Sequence, residues 1–147
     1  MSTVRMIAIA LMGAAAIACG GDDDEPSIES VSGTWSIEKY EYVNAANTAE
    51  RVDLVALGLS GTMNLNDNGQ YVATTSEPGF DPETVTGSWS YTADTFSLTE
   101  TGNSFTWIFD LDVGNDVLTL TGADAEFDFD GDDVPEPATW NITLERL

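Results

Sequence analysis

The chain contains no histidine, one cysteine and four basic residues against 26 acidic ones, for a formal charge of −22 over 147 residues. Each shortage excludes something. Without histidine the usual general base at neutral pH is missing, and with it the Ser-His-Asp and Cys-His arrangements, so an enzyme is not expected. Zinc has neither imidazole nor a set of thiols to bind. A single cysteine cannot close a disulfide within the chain, even in an oxidising compartment. Scarce positive charge means that phosphate backbones and anionic headgroups are repelled, so nucleic acid is excluded as a partner. No apolar run reaches the roughly 20 residues that a membrane helix needs; the uncharged stretch from Met6 to Ile17 stops well short.

That stretch has the length of a signal-peptide core and follows one basic residue, Arg5. It ends in Ala16-Ile17-Ala18-Cys19-Gly20, with the only cysteine directly after small and aliphatic residues. Such residues suit the narrow subsites of a lipoprotein signal peptidase, and the Cys19 thiol is then the acceptor of a diacylglyceryl group. Two or more acyl chains hold a protein stably on a bilayer, each buried CH₂ contributing about 0.8 kcal/mol. Residues 1–18 are therefore expected to be a lipoprotein signal peptide. Residues 19–29, which include Gly20-Gly21-Asp22-Asp23-Asp24-Glu25-Pro26-Ser27, are expected to be a lipidated cysteine and a flexible acidic tether. Gly20, not aspartate, follows the cysteine, so the inner-membrane retention signal is absent. The expected location is the outer membrane, lipid-anchored, on its periplasmic face or at the cell surface.

Residues 30–147 have the length of one domain. Apolar side chains alternate with polar ones through short segments separated by turns, a period of two that implies a sheet with one face on a core. Val85, Gly87, Trp89 and Tyr91 share a face, as do Phe105, Trp107, Phe109 and Leu111, and later Trp140, Ile142 and Leu144. Leu59, Gly61, Met63 and Leu65 form another inward set, followed by the turn Asn66-Asp67-Asn68-Gly69. Trp35 and Ile37 are out of phase with Tyr40 and Tyr42, which predicts a bulge near Glu38-Lys39. Between Asn44 and Gly58 the alternation breaks, and Val52, Val55, Ala56 and Leu59 are spaced for a one- to two-turn helix or an ordered loop over one end of the sheet. The fold class is all-β: a small antiparallel up-and-down barrel of about eight strands with a short helix or loop at one end. The inward tryptophans and phenylalanines carry enough volume to predict a filled interior, with an open cavity as the alternative.

Gly33-Thr34-Trp35, then Gly61 to Tyr71 with its Asn-Asp-Asn-Gly turn, then Gly87-Ser88-Trp89 occur in an order that resembles the lipocalin-like domains of Gram-negative lipoproteins. The resemblance covers most of the domain. It implies a lipocalin-like barrel closed by a basic side chain from the last strand over the first tryptophan, here Arg146 over Trp35. It also implies a non-catalytic role: binding a small apolar ligand, or contacting an envelope or surface partner, from a membrane-anchored position.

The segment Asp124 to Asp133 is the one stretch beyond Cys19 with chemistry to offer. Asp128, Asp130 and Asp132 are two residues apart, with Gly131 at the turn and Asp133 and Glu136 as further oxygen donors. Calcium takes six to eight oxygens at about 2.3–2.6 Å, and a tight acidic loop supplies several. Asp128-Phe129-Asp130-Gly131-Asp132 resembles the DxDGD calcium loops of several repeat and adhesion modules, which implies a calcium-stabilised surface interaction or adhesion module. The other reading is a solvated acidic hairpin anchored by Phe127 and Phe129. No other cofactor is expected.

Overall fold

The alternating segments become nine antiparallel strands in the computed structural model, which describes residues 25–147. The signal segment, Cys19 and the tether as far as residue 24 lie outside the described residues. A helical turn α1 (Ile28–Val31) precedes β1 (Gly33–Asn44), β2 (Arg51–Asp53), β3 (Ser60–Leu65), β4 (Gln70–Ser76) and β5 (Glu83–Tyr91). β6 (Thr95–Glu100), β7 (Thr106–Val113), β8 (Val117–Phe127) and β9 (Glu136–Arg146) complete the chain. From β3 to β9 each strand pairs with the next, β1 pairs with β3, and β9 returns to pair with β1. The result is a closed barrel made of β1 and β3 to β9, with β2 added outside the circuit along β1. Closure leaves the barrel strands without a long free edge.

The inward phase is apolar and the outward phase polar. On β5, Gly87 and Trp89 are buried while Thr84, Thr86, Ser88 and Ser90 are exposed, and on β7 buried Phe109 and Leu111 alternate with exposed Asp110 and Asp112. This is the reverse of a membrane-spanning barrel, whose outer band is apolar.

Two bulges flank the middle of β9. One falls between Ile37 and Lys39 of β1, at the predicted place, and turns Tyr40 and Tyr42 inward. The other falls between Leu120 and Ala123 of β8, where the Gly122 N–H leaves the ladder and donates to Asn141 Oδ1 at 2.9 Å. Bulges bend strands and sharpen their twist. Here they divide the barrel into two halves.

Beyond its bulge β1 leaves β3, which it pairs only from Gly33 to Ser36, and takes up β2 at Glu41 to Val43. The helix considered for Asn44 to Gly58 does not form; the segment is the ordered-loop alternative with a short strand in it. Asp53 explains this locally: its Oδ1 accepts the N–H of Val55 at 3.0 Å and of Tyr40 at 3.2 Å, competing with helical bonding. Successive turns from Leu54 to Gly58 follow, with Leu57 donating to the Leu54 carbonyl and Gly58 to that of Val55.

One end is sealed. α1 lies across it with Val31 wholly buried, and Trp35 beneath is also fully buried, its Nε1 donating to the Val31 carbonyl at 3.0 Å. The Arg146 guanidinium sits 4.2 Å from the Trp35 ring centroid and donates to the carbonyls of Ser32 (3.0 Å), Ser30 (3.0 Å) and Glu29 (3.1 Å). One planar side chain thus bonds the end of β9 to the turn before β1. The first glycine of the two Gly-x-Trp sequences is required by this packing: Gly33 has φ 126°, and a Cβ there would stand 2.7 Å from Arg146 Nη1. The second has a similar cause, since a Cβ on Gly87 would run into the Thr99 carbonyl and approach the Tyr71 ring to 2.7 Å. Leu65, Phe96, Leu118, Leu120 and Leu144, all fully buried, fill this half of the interior.

Candidate functional site

The other half of the barrel is not filled. The inward aromatic set pointed to a packed interior, and it supplies one only at the sealed end. Toward the loops that follow β2, β4, β6 and β8 the barrel opens into a cavity of about 720 Å³, within the range of about 300–1,000 Å³ typical of small-molecule sites. On this side of the barrel β1, beyond its bulge, no longer pairs with β3 and is held by β9 and β2.

Four aromatic side chains form one wall. Trp140 stands 5.1 Å from Tyr40, 5.6 Å from Trp107 and 6.2 Å from Tyr42, measured between ring centroids, and Tyr42 stacks on Phe127 at 4.8 Å. The Trp140 Nε1 is buried and has no hydrogen-bond partner among the described residues; such a donor costs about 1–3 kcal/mol. Phe105, half exposed, stands at the mouth against Trp107 at 5.6 Å. Leu57, Phe80 and Val134 are exposed on the other loops of this end.

The opposite wall comes from β4, β5 and β6 and brings Tyr71, Ala73, Thr75, Glu83, Val85, Leu98 and Glu100 to the cavity. Burial pushes the Tyr40 hydroxyl far above its ordinary value, with the Tyr42 hydroxyl and the Glu83 charge adding to the shift. Burial also raises Tyr42, against the bond from Tyr40, and raises Tyr71, where the charge of Glu100 contributes. The phenols are therefore neutral at any ordinary pH.

Sequence analysis singled out neither carboxylate. The signal was present, because Glu83 continues the phase of Val85, Gly87 and Trp89, and Glu100 that of Phe96 and Leu98. Tyr40 and Tyr42 were legible as a phase change, and their part in a cavity wall was not.

The three cations among the described residues are all engaged elsewhere. Lys39 and Arg51 converge on Glu41, each 3.6 Å from Oε2, while Asn141 donates to Oε1 at 3.1 Å. Arg146 is the sealed-end staple and pairs with Asp116 at 3.5 Å.

The acidic loop between β8 and β9 folds on itself. Asp128 accepts three backbone N–H groups, from Gly131 (2.7 Å), Asp132 (3.2 Å) and Asp133 (2.9 Å). Desolvation is the largest single influence and acts to raise it, but these donors and the Asp130 side chain together hold Asp128 below the usual carboxylate range. Asp130 accepts the Asp132 N–H, which acts to lower it; desolvation and the charges of Asp132, Glu136 and Asp128 prevail and raise it. Oxygens of Asp128, Asp130, Asp132 and Glu136 lie within 4.8 Å of one another. Asp133 is not one of this group; it contributes its N–H and a positive φ of 66° at the turn. Donation from Val134 to Asp132 Oδ1 and from Phe129 to Glu136 Oε2 leaves the second oxygen of each carboxylate unengaged. That donor set fits a hard cation. The same hydrogen bonds also form the loop without one.

No family model matches the sequence, and no curated protein matches it. A solved structure similar to this chain is that of EF1p2_mFAP2b bound to DFHBI, at 17% identity and a TM-score of 0.47, with 81% of this chain and 95% of that chain covered.

Proposed function

We propose that this protein is a lipid-anchored envelope lipoprotein whose lipocalin-like barrel binds a small ligand in its open half, without catalysis. The observation that carries the reading is the cavity of about 720 Å³, lined mainly by aromatic and aliphatic side chains with carboxylates among them, in a barrel whose other half is packed. Interiors normally close to high density, and a void of this size forfeits contacts on every wall. Ligand burial restores them. Saturable binding of the neutral apolar dye N-phenyl-1-naphthylamine at one site per chain, with quenching of tryptophan fluorescence, tests this. Absence of saturation would contradict it.

In this reading the anchor is Cys19. The chain joins the barrel at the sealed end, where Tyr91 donates to the Pro26 carbonyl at 2.9 Å. A tether leading back from Pro26 to Cys19 attaches the membrane to that end, so the mouth opens away from the attachment point, on either face of the outer membrane. Cys19→Ala should abolish fatty-acid labelling; continued labelling would refute acylation at this residue.

A second reading has its own observation, the convergence of Asp128, Asp130, Asp132 and Glu136. In it calcium binds this loop and stabilises a surface interaction or adhesion module, the barrel being a scaffold. Thermal unfolding with calcium, magnesium or chelator at matched ionic strength separates the two readings. A rise specific to calcium that Asp130→Ala removes supports the second, and identical curves dismiss it.

A further inference from the structure

We infer that the open half of the barrel accepts a small organic cation, a molecule with an apolar body and one amine or quaternary ammonium group. The inference rests on the ligand-binding reading and names the ligand's class. Glu83 and Glu100 occupy the inward phase of the adjacent strands β5 and β6 and border the cavity. The outward positions of these strands carry only hydroxyls: Thr84, Thr86, Ser88 and Ser90 on β5, Ser97 and Thr99 on β6. Carboxylates placed for solubility belong on that outward face. Here the strand pair carries its charge on the cavity side instead, Glu83 exposed and Glu100 half-buried.

Neither carboxylate forms an ion pair among the described residues, and Lys39, Arg51 and Arg146 are held away from the cavity by Glu41 and by the sealed end. The field inside the mouth is therefore negative with no countercharge from the protein. Across the cavity stand Tyr40, Tyr42, Trp107 and Trp140, whose ring faces attract cations. An anionic headgroup would meet like charges from Glu83 and Glu100, and from Asp124 and Glu126, which also border the cavity. A neutral ligand would gain the apolar walls alone.

Isothermal titration with 1-octanol, octyltrimethylammonium and octanoate, matched in chain length and kept below micelle formation, tests the inference on the whole protein. Octyltrimethylammonium should bind about tenfold or more tightly than octanol, as expected for two nearby opposite charges plus ring contacts. Octanoate should bind more weakly than octanol, and the cation's advantage should shrink as salt is added. In Glu83→Gln/Glu100→Gln the cation's advantage over octanol should shrink several-fold, the ring contacts remaining, while octanol is unchanged, which also reports that the cavity is intact. Octanol or octanoate binding as tightly as the cation, or an advantage indifferent to salt in the unaltered protein, would overturn the inference and leave the ligand-binding reading standing. Saturable binding by none of the three would overturn both.

Discussion

The two halves of this barrel are built from the same strands and comparable aromatic residues, yet one is solid and the other hollow. At the sealed end Trp35 is wholly buried, bonded through its indole N–H and covered by Arg146, and α1 closes the opening. At the open end Tyr40, Tyr42, Trp107 and Trp140 stand as a wall beside empty space. Composition does not separate the halves; backbone geometry does. The bulges in β1 and β8 fall mid-strand, and β1 parts from β3 on the open side. The sealed half should therefore carry stability and the open half binding.

The largest effect that would sharpen this contrast is at the sealed end. Trp35→Ala removes a fully buried indole and should cost about 3–5 kcal/mol in urea unfolding. A cost below about 1 kcal/mol, the usual range for surface sites, would break the contrast at once. Arg146→Ala should come next, at about 2 kcal/mol for its bonds to three carbonyls and its ring contact. Arg146→Lys should restore only part, because an ammonium cannot present the planar fork that reaches those acceptors. An unchanged melting temperature in Arg146→Ala would contradict the staple.

The third effect belongs to the open wall. Burial raises Tyr40 above its ordinary value of 10.0, so the stability it contributes is fully present below pH 10. As pH climbs past 10 the unfolded chain ionises while the folded phenol keeps its proton, and stability falls by up to about 1.4 kcal/mol per pH unit per tyrosine. Urea midpoints between pH 9 and 11 should show this decline, and Tyr40→Phe should lessen it, Tyr42 and Tyr71 supplying the remainder. An identical slope in the variant would remove Tyr40 from the account. The smallest stability effect is expected at the mouth, where Trp107→Ala should change unfolding by under about 1 kcal/mol while weakening ligand binding several-fold. A loss matching that of Trp35→Ala would show that the open half also bears the fold.

Much of the architecture was legible in the sequence because a period of two is a direct statement about faces. The phases around Trp89, Phe109 and Trp140 gave the inward sets, and the mismatch between Ile37 and Tyr40 located a bulge to within a residue. The β2 segment was less legible. Helical spacing of Val52, Val55 and Ala56 is outweighed by the hydrogen bonds Asp53 accepts and by the backbone of β1, which departs from β3 and pairs with Arg51 to Asp53. Ile28 and Glu29 begin the helical turn α1, whose burial depends on Trp35 and Arg146. The cavity was illegible for a further reason. Side-chain volume can be added up from a sequence, but the space to be filled depends on strand tilt and bulges. Glu83 and Glu100 were readable as inward by phase alone, and went unnoticed among so many carboxylates.

The most direct test of the account uses the four tryptophans, which divide between the halves: Trp35 and Trp89 at the sealed end, Trp107 and Trp140 at the cavity. Each indole N–H gives its own cross-peak in a ¹⁵N–¹H correlation spectrum, followed during titration with octyltrimethylammonium. The account predicts saturable shifts for Trp107 and Trp140, with Trp35 and Trp89 nearly stationary. Stationary signals for all four, or shifts at Trp35 and Trp89 as large as those at the cavity, would contradict a ligand chamber confined to the open half.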